Sequence, residues 1–204
     1  MSRRECVKEG VGGSFFSRMV DRPATNATSM ALMWGLAWLI VGIILCWYLD
    51  LVPTSMFGYT WGAVSLLWNT ALGLVMWVSS TVLFYGVALM FNRRVSVTEL
   101  FGRMLFAHWP VTMMLLPAVV GDKVAYSTFM SHPTVVFEQS PLYAVLMAIF
   151  SLVVLVWYLY WGYSAFSKSV SKSGARVFGA YVVALVLSFL LSHYTLDVVY
   201  AGIG

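Results

Sequence analysis

The run from Met30 to Leu49, twenty residues without a charge, limits this chain more than any other feature. At a 1.5 Å rise per residue such a helix covers about 30 Å, the thickness of a bilayer's hydrocarbon core. A segment at that depth must satisfy its own backbone N–H and C=O groups, so helices are the expected elements. Four further uncharged runs follow, and together they predict an all-α integral membrane protein with a bundle of five transmembrane helices at about 30–49, 61–91, 104–120, 141–166 and 177–196. Residues 1–29 are left as a cytoplasmic tail and 197–204 as an extracytoplasmic one. The balance of 61% hydrophobic and 10% charged residues fits this reading, since soluble domains carry about 25% charge. A secretory signal would have an apolar segment of about 7–15 residues and a small-residue cleavage site. Asp50 to Thr54 does not supply one, so the first helix is expected to be retained.

Charge then sets orientation, because cytoplasmic loops retain Lys and Arg. With five spans, the N-terminal tail, the loop with Arg93, Arg94 and Arg103, and the loop with Lys168, Lys172 and Arg176 share one side, and only Lys123 falls opposite. The expectation is N-terminus in and C-terminus out. The net charge of +4 is spent on these short blocks rather than on a clustered basic surface, which argues against a nucleic-acid partner. In the tail, Phe15, Phe16, Met19 and Val20 sit at helical spacings beside Arg18 and Arg22. They read either as a short amphipathic helix on an anionic membrane surface or as a mobile tail. Gly10, Gly12 and Gly13 lack the spacing of a nucleotide loop.

Ser96 and Glu99 have capping-box spacing, which predicts a helix beginning near Val97. Pro110 within it removes a backbone hydrogen bond and bends it, and Pro117 repeats the signal. No carboxylate falls in the middle of a span, and neither H-E-x-x-H nor G-x-S-x-G occurs. Cys6 and Cys46 lie toward opposite sides, and no Cys or His spacing suits a metal. The chain is therefore read as a non-enzyme without cofactor or metal. The polar positions that carry interest are Asn69, Ser80, Arg103, His108 and Pro110. His108 is either an ionisable functional group or a neutral imidazole bonded to the carbonyl freed by Pro110. Trp157, Tyr158, Tyr160, Trp161 and Tyr163 read as an interfacial belt or as a cage for a cationic head group. Ala180, Ala184, Ser188 and Ser192 form a small-xxx-small stripe for helix packing, within the bundle or in a homo-oligomer.

Five spans, Arg22-Pro23 leading into the first helix, and above all Ser96 to Pro110, SVTELFGRMLFAHWP, together resemble the Yip1 family. The resemblance extends loosely from Phe15 to Leu196 and implies Pro110 as a structural kink and no catalytic residues. Eukaryotic members carry a longer cytosolic region with an Asp-Leu-Tyr-Gly-Pro motif and are linked to Rab-type GTPases and vesicle trafficking. That motif is missing here, which leaves a GTPase partner without its marker. The short chain is more similar to bacterial members, implying a multi-pass protein of a bacterial inner membrane. Two functions stay open: a scaffold or membrane-organising factor whose partners are the lipid bilayer and other membrane proteins, and a small-solute permease or channel with its path between the second and third spans. A polar cavity lined by Asn69, Ser80 and His108 would favour transport, and a dry bundle would favour scaffolding.

Overall fold

A computed structural model describes residues 28–201; the amphipathic stretch around Phe15 and residue Cys6 lie outside them. Five of its helices are long and apolar enough to cross a membrane: Ser29–Tyr48, Leu66–Phe91, Val97–Val120, Pro141–Val170 and Ala175–Val199. In chain order the elements are α1 (Thr28–Tyr48), a hairpin of β1 (Leu51–Pro53) and β2 (Tyr59–Trp61), and α2 (Leu66–Phe91). The third span is broken into α3 (Val97–Ala107), α4 (Trp109–Met113) and α5 (Leu116–Val120). Two short helices follow, α6 (Lys123–Ser131) and α7 (Pro133–Gln139), then α8 (Pro141–Val170) and α9 (Ala175–Ala201).

Local chemistry explains where these boundaries depart from the sequence reading. The second span begins at Leu66 rather than Trp61, because the chain through Trp61 is still paired in the hairpin and Ser65 then caps α2 by accepting from the Trp68 amide at 3.3 Å. The third begins at Val97, capped by Ser96 Oγ, which accepts from the Glu99 amide at 3.4 Å. Glu99 does not reach back to complete the capping box; its carboxylate pairs instead with Arg103, one turn on, at 3.0 Å. The polar stretch 121–140, read as a loop, is mostly helical. Asp122 caps α6 through the amides of Val124 and Ala125, and Pro133 and Pro141 occupy the first turns of α7 and α8, where a missing amide costs nothing.

The third span is the hub of the bundle: 56% of its most apolar stretch is buried, against 17% for the first span and no more than 33% for the others. Helix α1 runs alongside it in the same direction and at a constant offset, with Gly35 against Leu105 and Phe106, Leu32 against Gly102, and Gly42 against Thr112. A Cβ on Gly35 would come within 2.9 Å of the Phe106 amide nitrogen, and one on Gly102 within 3.1 Å of the Leu32 backbone. Glycine on both partners lets these backbones approach as no other residue would. Helix α8 crosses the third span antiparallel, through ring contacts of Phe106 with Trp161 at 5.6 Å and Trp109 with Trp157 at 5.4 Å. Helix α9 backs onto α2, also antiparallel, with Phe84 against Tyr181 and Ser80 against Ser188. Successive spans therefore alternate in direction, and the first and last described residues lie at opposite faces of the bundle.

Candidate functional site

Between the first two spans the chain does not stay outside the bundle. Asp50 adopts a left-handed backbone, φ 54°, which turns the chain at the end of α1, and the Gly62 amide closes the base of the hairpin on the Asp50 carbonyl at 2.9 Å. Pairing of Val52 with Thr60 and Pro53 with Tyr59 brings the two arms together. The tip, Thr54–Gly58, is fastened by the Thr54 amide on the Gly58 carbonyl at 2.9 Å. A Cβ at Gly58 would meet the Thr54 and Ser55 hydroxyls at 2.7 and 2.8 Å, so both would have to turn aside. Leu51, Val52, Ser55 and Met56 are all buried.

The tip reaches the middle of the bundle. Met56 donates its amide to Ser192 Oγ at 3.2 Å, while the hydroxyls of Ser80 and Tyr158 point at its sulfur from 3.9 and 3.8 Å. Phe57 packs edge-on to Tyr158 and stacks on Phe189. Asn69 Nδ2 donates to the Leu51 carbonyl at 3.3 Å, and His193 Nδ1 lies 3.1 Å from the Thr54 carbonyl. Ser80 and Tyr158 are near the midpoints of α2 and α8, so this is a re-entrant hairpin. Non-helical backbone is tolerated at such depth when protein encloses it and satisfies its polar groups.

The sequence-predicted positions fall into three groups around this hairpin. Ser80, Ser188 and Ser192 meet at its tip, with Ser188 donating to the Ser80 carbonyl at 3.4 Å. The stripe on α9 thus faces inward: Ala184, Ser188 and Ser192 are fully buried and Ala180 is half-buried. Asn69 and His108 share a cavity of about 40 Å³ with Thr112, Trp38, Trp77 and Trp109, room for a few waters at most. Ser80 lies outside that cavity, under Met56. Arg103 stands apart, nearer the face that carries the start of α3. It is buried, with Nη2 on Glu99 and no hydrogen-bond partner for Nε or Nη1 among the described residues.

Two side-chain readings need correction. The His108 ring does not bond the carbonyl left by Pro110; it is wedged edge-on between Trp77 at 4.5 Å and Tyr158 at 5.4 Å, and its Nδ1 has no partner among the described residues. Pro110 itself is buried in the first turn of α4, and the span breaks there rather than bending smoothly. The tryptophan and tyrosine set of α8 is not an interfacial belt, because Tyr158 and Trp161 are fully buried and Trp157 packs on Trp109 and Trp161. Tyr160 alone of that set is exposed.

Sequence reasoning missed the hairpin residues Met56 and Tyr59. The signal was present as short β-prone arms around Pro53 and Gly58 with no charge from Leu51 to Val64. Tyr59 lines the same cavity, where burial pushes its phenol well above its ordinary value, helped by the neighbouring Cys46 and Tyr126, and burial raises Tyr126 likewise. Among the described residues no three His, Cys, Asp or Glu side chains cluster as metal ligands would. No family model matches the chain, and neither a curated protein nor a solved structure is similar to it.

Proposed function

We propose that this chain is a non-enzymatic scaffold or membrane-organising protein of Yip1 type, seated in a bacterial inner membrane with its N-terminus cytoplasmic. The observation that carries this reading is the hairpin plug. Met56 fills the middle of the bundle, and the hydroxyls of Ser80, Tyr158 and Ser192, the groups suited to lining a polar path, are turned onto it. What such a bundle offers a partner is its surface: an apolar belt in the bilayer and a basic face with Arg93, Arg94, Lys168, Lys172 and Arg176 exposed. Reporters fused after Gly204 and inserted near Ser171 are expected on opposite sides, the second of them cytoplasmic. Both on one side would break the five-span topology.

Transport is the second reading, and the Asn69, His108 and Thr112 cavity beside the broken third span favours it. Solute uptake by sealed vesicles decides between the two. The scaffold reading expects no flux above protein-free vesicles. A saturable, pH-dependent flux that His108→Gln abolishes in a folded protein overturns it.

A further inference from the structure

The turn between α8 and α9 borders a second cavity, open at the surface, on the basic face. Ser171 takes a left-handed backbone and Gly174 a positive φ of 107°. The amides of Ser171 and Lys172 fold back onto the carbonyls of Lys168 and Ser167, each at 3.1 Å, which ends α8 in a left-handed cap. Two tethers fix the turn: the Gly174 amide donates to Tyr163 Oη at 3.2 Å, and Lys172 Nζ donates to the Phe91 carbonyl at the end of α2 at 2.6 Å. This open cavity, about 390 Å³, is lined by Ser167, Lys168, Ser171, Lys172 and Ser173.

Its chemistry is one-sided. Two ammonium groups and three hydroxyls line it, with no carboxylate among them. Among the described residues the acid at this end of the spans, Glu99, is already paired with Arg103. Arg176 follows directly, and Lys172 ties the turn to the helix end that carries Arg93 and Arg94. An anion entering here gains charge-assisted hydrogen bonds and meets no like charge in the cavity lining.

We propose that this cavity binds the phosphate of an anionic glycerophospholipid. Depth selects a lipid over a free anion, because the cavity lies at the ends of two spans, Pro141–Val170 and Ala175–Val199, at headgroup level. The first turns of α9 expose Phe178 and Val182, apolar surface along which acyl chains can lie. Lys168 supplies the ammonium that is free to close on the phosphate; Lys172 contributes charge while holding the turn in shape.

The test uses the full chain purified in a neutral detergent, with lipid retention followed by native mass spectrometry. Dioleoyl phosphatidylglycerol is expected to be retained in preference to dioleoyl phosphatidylcholine. Lys168→Gln weakens that retention about fivefold, the scale of one basic residue near an anionic surface, and Lys168→Arg preserves it. Lys168 is exposed, so an unchanged unfolding temperature in phosphatidylcholine shows that the variant is folded. Equal retention of the two lipids, or undiminished phosphatidylglycerol binding by Lys168→Gln, overturns the proposal. Inorganic phosphate or glycerol 1-phosphate displacing the lipid at millimolar concentration also overturns it, marking a site for a free anion. None of these outcomes depends on whether the bundle scaffolds or transports.

Discussion

The two halves of the bundle are built on different principles. Toward the face that carries the start of α3, the connections are short, 92–96 and 171–174, and the helices pack directly on one another, Gly35 and Gly102 bringing α1 and α3 into backbone contact. Arg93, Arg94, Lys168, Lys172 and Arg176 stay exposed at the rim there, and Arg103 is buried beside Glu99. Toward the other face the third span is broken at His108 and again at Leu115, the connections are long, and a hairpin occupies the space between helices. The comparison teaches that apolar length alone does not make a helix bundle. Where helices run straight, side chains fill the interior. Where one is broken by proline, a loop without charges turns inward to complete the packing.

The largest effect is expected from Met56→Lys, which places an ammonium at mid-depth among Ser80, Tyr158 and Ser192 at a cost of about 3 kcal/mol or more. Thermal unfolding in detergent should show the folded protein lost, whereas Arg94→Gln at the exposed rim stays within about 0.5 kcal/mol. Similar stabilities for the two would mean that the hairpin does not enter the bundle. Alkaline pH should also attack the hairpin half. Tyr59 and Tyr126 are protonated when folded, with phenols raised above the ordinary value near 10. Above pH of about 10 the unfolded chain releases those protons while the folded one keeps them, so stability is full below that pH and falls as pH rises past it. Tyr126 Oη has no hydrogen-bond partner among the described residues, so Tyr126→Phe should fold normally and lessen the alkaline loss. An unaltered pH profile would remove Tyr126 from the account.

Pro110→Ala restores a helical amide where the span now breaks and should displace α4 from α8, costing about 1–3 kcal/mol. His108→Gln, whose ring makes no hydrogen bond to lose, should cost less; the reverse ranking in thermal stability would mean that the imidazole, not the break, organises this half. The smallest measurable change is Ser192→Ala, which leaves the Met56 amide without its acceptor. About 0.6 kcal/mol is the average for such bonds in membrane proteins. No change at all would indicate that the tip moves away from α9 in the bilayer.

The five apolar helices were legible because twenty or more uncharged residues have few other fates, and the start of α3 was legible because Ser96 and Glu99 state it locally. The hairpin was not. Leu51 to Trp61 reads as a short uncharged loop, and its partners at Ser80, Tyr158 and Ser192 are remote in sequence, so local pattern alone gives no sign of its depth. The glycines of the α1–α3 contact escaped for the same reason, since each is isolated in its own helix and acquires meaning only when the two are set side by side. His108 and Pro110 stood out as unusual residues, yet which neighbours each would meet depended on the register of α8, fixed by aromatic packing rather than by any motif.

The bond from Met56 to Ser192 spans 136 residues of sequence. During synthesis, the hairpin leaves the ribosome long before α8 and α9 exist to receive it. The Met56 sulfur meets Ser80 and Tyr158 within the first four spans, but the amide must wait until the last helix arrives. The final helix is thus the clasp of the assembly: a chain cut short after Val170 would place its first four spans and still leave the Met56 amide without its acceptor.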